Sequence, residues 1–139
     1  MIINAEDTIL GRLATYAAKQ ALLGEKVFII NCEKAIITGS RKDILNDFAE
    51  RIARGNPFKG PYFPRRSDMI VRRTVRGMLP RRKSKGRIAY KNVICYLGMP
   101  ESLKNEKIIS LENANINRLR TLKYLYLKEI SRVIGGRVE

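Results

Sequence analysis

The sequence predicts a three-layer α/β/α fold, in which helices cover both faces of a small, mostly parallel sheet. Unbroken apolar runs at residues 27–30 and 93–97 are typical of strands buried on both sides, as in parallel sheets packed between helices. Segments with helical apolar spacing alternate with these runs, which is the order of elements expected of an α/β fold. The chain has 139 residues, of which 45% are hydrophobic, so we predict one domain over residues 1–139.

The first unit is predicted to be a strand, a helix and a second strand. Ile2 and Ile3 indicate a short opening strand within residues 1–5. From Thr8 onward, apolar residues recur with helical spacing until Gly24, a residue type that often ends helices. The apolar run at 27–30 then follows as the buried strand.

A second helix is predicted from Arg41 to Ala53, after a short apolar segment at 35–38. Ser40 is the expected N-cap, with Asp43 at the capping-box position. The turn Thr38-Gly39-Ser40 has two interpretations: ordinary helix capping, or backbone amides that hold a phosphate. The sequence contains no glycine-rich dinucleotide or Walker fingerprint that would support the second interpretation.

Residues 59–91, which we call the basic insertion, interrupt this pattern. They contain twelve of the 28 Lys and Arg residues against one acid, Asp68, so they carry eleven net positive charges while the other 106 residues carry four. Such a concentration repels itself unless a polyanion binds it. Arginine outnumbers lysine and aromatic residues are interleaved, which favours nucleic acid over a surface that is merely solvated.

A short amphipathic helix is predicted inside the basic insertion, with Ser67 as N-cap, Asp68 in the first turn and an end near Gly77 ahead of Pro80. Its apolar side should comprise Val71, Val75, Met78 and Leu79. Its outward side should present Arg72, Arg73 and Arg76. Turn-rich basic arms flank it at 56–66 and 81–87, and we expect them to become ordered only when RNA binds.

Beyond the basic insertion, the apolar run at 93–97 predicts a buried strand, followed by a polar loop at 100–107 and an edge strand within 108–114. From Leu119 to Ile134, apolar residues recur at mostly three- and four-residue spacing, which predicts a long C-terminal amphipathic helix. The sequence leaves open whether the cations of this segment are solvated or bound to a partner; they are Arg118, Arg120, Lys123 and Lys128.

Composition excludes several classes of protein. The net charge of +15 and a pI near 10.3 suit RNA, DNA or an anionic surface. No apolar run approaches the roughly 20 residues of a membrane span, and no secretory leader is recognisable, so we expect a cytosolic protein.

Cys32 and Cys95 lie far apart in apolar surroundings and the chain has no histidine, so we expect two buried, reduced thiols, no metal and no cofactor.

Several motifs resemble those of the ribosomal protein L13 family of the large ribosomal subunit. They are Leu10-Gly11-Arg12-Leu13-Ala14, Asn31-Cys32-Glu33-Lys34, Val75-Arg76-Gly77-Met78-Leu79-Pro80, Gly86-Arg87 and the segment 93–98. The stretches Gly60-Pro61-Tyr62 and 73–80 are more similar to the archaeal and eukaryotic branch than to the bacterial one. Cys32 stands where the family usually has Ala, and Cys95 replaces an aliphatic or small residue.

The resemblance implies a structural, non-catalytic protein of the large subunit in the cytoplasm. It would bind large-subunit ribosomal RNA, contact neighbouring ribosomal proteins and support subunit assembly and translation, without a small-molecule substrate. The candidate RNA-binding residues are Lys59, Tyr62, Arg65, Arg66, Arg72, Arg73, Arg76, Arg81, Arg82, Lys83, Lys85 and Arg87. Tyr62 and Phe63 either stack on unpaired bases or fasten the first arm to the domain.

Two other functions are less well supported by the residues. An enzyme acting on a phosphorylated ligand would use the Thr38-Gly39-Ser40 turn with Glu33 or Asp43, but the chain lacks histidine and a recognisable phosphate loop. A DNA-binding protein would place the basic helix in a major groove. The exposed positions of that helix are arginines, with no Asn or Gln among them to read bases.

Overall fold

A computed structural model describes residues 1–137. The helices and strands follow in the order β1 (Ile2–Asn4), α1 (Leu10–Leu22), β2 (Val27–Ile30), β3 (Ile36–Thr38), α2 (Arg41–Ala53), α3 (Ser67–Gly77), α4 (Ser84–Lys91), β4 (Val93–Cys95), β5 (Ile108–Ser110), β6 (Tyr124–Tyr126) and α5 (Leu127–Val133). Short 3-10 turns lie at 32–34, 101–103, 112–114 and 116–118.

The main sheet has four parallel strands in the order β4-β2-β1-β5. Ile2 of β1 is paired with Phe28 on one side and with Ile108 on the other, and Val27 is paired with Val93. Because parallel neighbours need a crossover connection, each step between them passes through a helix or a long loop. The predicted α/β fold with a mostly parallel sheet is confirmed.

Helix α1 packs on β2, α3 and α4, and it buries a narrow face of small and aliphatic residues. The buried residues are Leu10, Leu13, Ala14, Ala17, Ala18 and Ala21. Four alanines leave little side-chain bulk between the elements, so the basic helix α3 packs close against α1. The other side of the sheet is covered by a smaller cluster in which Leu103 of a 3-10 turn packs with Ile2 and Ile30.

A second, two-stranded antiparallel sheet joins β3 to β6, with Ile36 opposite Tyr126 and Thr38 opposite Tyr124. The Tyr126 hydroxyl donates a hydrogen bond to Asp7 Oδ1 at 2.9 Å, which raises the pKa of Tyr126 to about 12. This contact ties the C-terminal part of the chain to the loop after β1.

The prediction of one long C-terminal helix is wrong. Residues 124–126 form β6, and the helix α5 is confined to Leu127–Val133. Leu125 is buried while Tyr124 and Tyr126 are half-buried on the other face, which is the two-residue alternation of a strand. The helical spacing of the preceding leucines does not reflect burial, since Leu122 is 95% exposed. Pairing with β3 therefore decides the conformation.

Strand β4 is shorter and less buried than predicted. It spans Val93–Cys95 and lies at the edge of the sheet beside β2, so only one side has a neighbouring strand. Val93 is fully buried, but Ile94 is 37% exposed and Cys95 is half-buried. The edge strand predicted within 108–114 is confirmed as β5, Ile108–Ser110.

Cys32, just after β2, and Cys95 of β4 lie near each other although they are far apart in sequence. Ile29 lies opposite Cys95 in the strand register, and the backbone N–H of Cys32 donates to the Tyr96 carbonyl at 3.2 Å. The Cys32 thiol donates to the Ile29 carbonyl at 3.5 Å, and the nearby Cys95 thiol together with burial raises the pKa of Cys32 well above its ordinary value. Cys32 is buried as expected, whereas Cys95 is partly accessible.

We expect iodoacetamide at pH 8 to alkylate Cys95 faster than Cys32 in the folded protein. The thiolate is the reactive form, and both burial and a raised pKa keep the Cys32 thiol protonated. Mass spectrometry of a time course measures the two rates, with the urea-unfolded chain as the control in which both should react readily. Equal or faster alkylation of Cys32 in the folded protein would contradict this packing.

Candidate nucleic-acid interface

Helix α3 fixes the basic insertion to the domain. Its buried residues Ile70, Val71 and Val75, with Leu79 beyond its end, belong to the main hydrophobic core and face α1 and β4. Three of the four predicted apolar contacts are thus confirmed, but Met78 is 42% exposed. Met78 follows the last helical residue, Gly77, so helical spacing no longer determines its direction.

The start of α3 differs from the prediction. Ser67 is the first helical residue, and Arg66 occupies the N-cap position without a side-chain capping bond. Asp68 is 8% exposed and accepts two hydrogen bonds from Arg66, at 3.2 Å from Nε and 3.0 Å from Nη2. Within residues 1–137, Arg66 is the one member of the candidate RNA-binding set that pairs with a carboxylate.

The three arginines predicted to face outward, Arg72, Arg73 and Arg76, are all half-buried, and the first two each lie over an aromatic ring. The Arg72 guanidinium carbon is 4.7 Å from the ring centre of Tyr90 in α4, and that of Arg73 is 4.5 Å from Phe63 in the first arm. Burial, with Arg76, Arg51 and Arg81 nearby, lowers the pKa of Arg73 from its ordinary value. The two arginines therefore connect α3 to both flanking segments.

The second arm is largely helical, which corrects the prediction of a turn-rich segment at 81–87. Helix α4 begins at Ser84 and buries Gly86 and Ala89. Gly86 packs so closely on the Pro80 carbonyl that a Cβ atom would overlap it. Arg87 donates to the carbonyl oxygens of Arg81 and Arg82, at 3.3 and 3.5 Å. These contacts hold the arm without RNA.

The first arm is also held by local contacts. Phe63 is half-buried and packs edge-to-face on Phe48 of α2, with ring centres 5.8 Å apart. The Ser131 hydroxyl of α5 donates to the Arg65 carbonyl at 2.6 Å. Of the two roles considered for the aromatic pair, Phe63 therefore fastens the arm to the domain. Tyr62 is 70% exposed, with its hydroxyl donating to the Pro57 carbonyl.

The largest concentration of unpaired charge lies where α3 turns into α4. A cleft of about 590 Å³ is lined by Arg73, Arg76, Gly77, Leu79, Pro80, Arg81, Arg82 and Lys83. Its five cations have no carboxylate within ion-pair distance among the described residues. We call this the basic cleft. Guanidinium groups that converge on a concave surface can donate to several oxygens of one phosphodiester backbone.

The remaining candidates lie around the basic cleft rather than in it. Tyr62 and Arg65 line a separate cleft of about 450 Å³ beside the first arm. Lys85 and Arg87 are exposed on α4, and Lys59 is exposed in the loop after α2. Of the twelve residues in the predicted set, five share the basic cleft and two share the cleft beside the first arm.

Two cations of this surface lie outside the predicted set. Arg51 of α2 and Arg54, the C-cap residue of that helix, share a small cleft of about 140 Å³ with Arg73 and Phe63. Each also forms an ion pair with the carboxylate four residues earlier in the chain, Arg51 with Asp47 and Arg54 with Glu50. Such exposed pairs contribute only about 0.3–0.5 kcal/mol to stability. Their position in the sequence, at the C-terminal end of a helix that leads into the first arm, could have indicated that they belong to the basic surface.

The turn at Thr38-Gly39-Ser40 acts as a helix cap. The Ser40 hydroxyl accepts a hydrogen bond from the Asp43 backbone N–H at 3.2 Å and donates one to the Asp43 carboxylate at 2.5 Å. The Gly39 N–H donates to the Lys123 carbonyl, so this amide already has a partner. Glu33 accepts from the Gly98 N–H at 3.0 Å. These contacts favour ordinary capping over a phosphate site, and they give both candidate carboxylates structural roles.

The model of the family described as ribosomal protein L13 matches residues 1–102, from β1 through the basic cleft to the turn that holds Leu103. The chain belongs to the ribosomal protein L13 family. The resemblance inferred from the motifs is thereby confirmed. This is a family of ribosomal proteins rather than of enzymes, which agrees with the prediction that the chain is not an enzyme.

Relatives in archaea match nearly the whole chain, and each is named large ribosomal subunit protein uL13. The protein of Methanosarcina barkeri is 43% identical over 137 residues, covering 98% of both chains. That of Methanopyrus kandleri is 44% identical over 136 residues, covering 96% of this chain and 86% of its own. That of Archaeoglobus fulgidus is 42% identical over 137 residues, covering 98% and 88%.

Within residues 1–137, no cluster of three or more His, Cys, Asp or Glu side chains could hold a metal ion. None of the helices in that part of this L13-family chain is both long and apolar enough to cross a lipid bilayer.

Gly86→Ala should lower the free energy of unfolding by roughly 1–3 kcal/mol, the usual cost of overpacking, because the new methyl group would overlap the Pro80 backbone. Gly77→Ala is the matched control. No heavy atom lies within 4 Å of a Cβ at Gly77, so we expect stability to be unchanged or raised by up to about 1 kcal/mol. Urea denaturation of both variants measures the difference. Equal effects would contradict the close α3–α4 packing.

Proposed function

We propose that this chain is a structural constituent of the large ribosomal subunit, that it binds large-subunit ribosomal RNA through its basic surface, and that it supports subunit assembly and translation in the cytoplasm without catalysis. The observation that carries the proposal is the basic cleft, in which five cations converge without a carboxylate partner in the described part of the chain. The names of the archaeal relatives, large ribosomal subunit protein uL13, support the assignment to this subunit.

The mechanism is neutralisation of phosphates with release of their condensed counterions. Arginine suits this role because its planar fork donates two hydrogen bonds to one phosphate. Arg76, Arg81 and Arg82 make no side-chain hydrogen bond to any other described residue, so their donors are free for phosphate oxygens. Since both arms are already held by protein contacts, binding costs less conformational entropy than it would for unfolded arms.

The chain would act as one domain over residues 1–139, with the basic insertion at 59–91 as part of it. Supporting this, Ile70, Val71 and Val75 of the insertion share one core cluster with Ile3 and Ile130, near the two ends of the described chain. The partners are then ribosomal RNA on the basic surface and neighbouring ribosomal proteins elsewhere, with no membrane and no small-molecule substrate.

Binding of the purified protein to large-subunit ribosomal RNA should weaken steeply with salt. If the surface contacts ~6 phosphates, at about 0.7 logarithmic units per contact, affinity falls roughly 300-fold between about 50 and 200 mM salt. Filter binding or fluorescence anisotropy over a salt series measures the slope. Substituting Arg76, Arg81 and Arg82 together by Gln should reduce the magnitude of that slope by about 2.

The matched control removes the same charge elsewhere, by substituting the exposed residues Lys19, Lys26 and Lys107 by Gln. Arg76, Arg81 and Arg82 stack on no aromatic ring among the described residues, whereas Arg72 and the fourth cleft arginine, Arg73, do, and their loss would disturb packing. Salt-independent binding of the unaltered protein would overturn the proposal. Equal slope changes in the two triple variants would show attraction by net charge alone and would overturn the assignment of the cleft.

A further inference from the structure

The loop that begins the first arm displays an aromatic side chain that the domain does not use. Phe58 is 89% exposed, although burying a phenyl ring is one of the larger favourable terms available to a protein. Within residues 1–137 its ring pairs with no other aromatic ring. We call residues 55–62 the aromatic loop. The resemblance to the L13 family gave no role to Phe58, and it is absent from the predicted RNA-binding set.

The aromatic loop is rigidly built. The N–H of Gly60 donates to the Asn56 carbonyl at 2.8 Å, and the N–H of Asn56 donates back to the Gly60 carbonyl at 3.1 Å. The Phe58 N–H donates to Asn56 Oδ1 at 2.9 Å. The Tyr62 hydroxyl donates to the Pro57 carbonyl at 3.1 Å, which links the end of the loop back to its beginning. The loop therefore holds Phe58 outward instead of letting it fold back onto the domain.

The surroundings of Phe58 are predominantly positive, although Arg51 is paired with Asp47 and Arg54 with Glu50. Residues 51–67 contain five Lys and Arg residues and no Asp or Glu. Lys59 is the next residue in the chain, and Arg54, Tyr62 and Arg65 line the cleft of about 450 Å³ beside the loop. An exposed aromatic face among cations is the arrangement by which proteins bind unpaired nucleotides, because the ring stacks on a base while the cations neutralise the adjacent phosphates.

We propose that Phe58 stacks on an unpaired base of the ribosomal RNA, with Lys59, Arg54 and Arg65 contacting the flanking phosphates. This inference rests on the proposed function and adds a specific contact to it. A hydrophobic pocket on a neighbouring protein is the competing occupant. Such a pocket would also have to accept Lys59 and Arg65, which have no carboxylate within ion-pair distance among residues 1–137, so only an acidic rim would fit, whereas RNA supplies base and phosphate together.

Fluorescence tests the contact directly, because the chain contains no tryptophan. Phe58→Trp places a single tryptophan, which can be excited selectively over the six tyrosines, at the loop tip, and its emission should be quenched when in-vitro-transcribed large-subunit ribosomal RNA is added. Leu23→Trp is the matched control: Leu23 is 70% exposed and lies at the end of α1, outside the basic insertion. Its emission should change little in the same titration.

Affinity gives a second, independent measurement. Phe58→Ala should weaken binding of the same RNA by roughly 5- to 150-fold, the range for losing one base-stacking ring, while the slope of log affinity against log salt stays unchanged. Lys59→Gln should instead change the salt dependence: it removes one phosphate contact, so the slope of log affinity against log salt should be smaller in magnitude by about 0.7. Because Phe58 is almost fully exposed, far-UV circular dichroism of the Ala variant should match that of the unaltered protein.

The outcomes separate this inference from the proposed function. If the unaltered protein binds the RNA with steep salt dependence, but Phe58→Ala binds equally well and the emission of Phe58→Trp is not quenched, the stacking contact is wrong and the RNA-binding function stands. Equal quenching in the Phe58→Trp and Leu23→Trp variants also overturns the contact. A fluorescence change that occurs in assembled subunits but not on free RNA would place Phe58 against a protein. Absence of RNA binding by the unaltered protein overturns both.

Discussion

The burial of one face of α3 is the constraint on which the basic surface depends. Ile70, Val71 and Val75 insert between α1 and β4, and each such side chain contributes about 1.5–3 kcal/mol when removed from water. The same helix carries Arg72 and Arg73, whose stacking on Tyr90 and Phe63 contributes about 0.5–1 kcal/mol each at partly exposed sites. Packing of the apolar face therefore dominates, and the cation–π contacts position the flanking segments.

This anchoring determines what the charges can do. Eleven net positive charges in 33 residues repel one another, and a flexible segment would relieve that repulsion by spreading apart. Gly86 packed on Pro80, and Arg87 bonded to the carbonyls of Arg81 and Arg82, prevent the spreading near the turn between α3 and α4. The basic cleft consequently exists before any partner binds. An anionic chain that entered the cleft would relieve this self-repulsion, which is the physical basis of the proposed phosphate binding.

The sequence predicted those parts of the fold in which local pattern and tertiary environment agree. Helices α1 and α2 have one apolar stripe and clear ends, and strand β2 is an apolar run with neighbours on both sides. The C-terminal segment was predicted incorrectly because its apolar residues fit helical spacing, while pairing of Tyr124–Tyr126 with β3 decides the outcome. Likewise Ile94 belongs to an apolar run, and only the strand order shows that it lies at an edge.

For the candidate site, charge density located the surface but not the roles of its residues. Arg72 and Arg76 are indistinguishable by spacing, yet one lies over a ring and the other lines the basic cleft. The sequence did not predict a role for Phe58, because whether an aromatic side chain is exposed depends on its surroundings in three dimensions.

The most direct measurement of RNA binding through the basic cleft is modification of arginines by phenylglyoxal in purified large subunits, followed by mass spectrometry. We predict that Arg76, Arg81 and Arg82 are protected from the reagent and that ribonuclease digestion removes this protection. Exposed Arg132 is the reference residue. If the three arginines in the subunit react as fast as they do in the free chain, RNA binding through the basic cleft is contradicted.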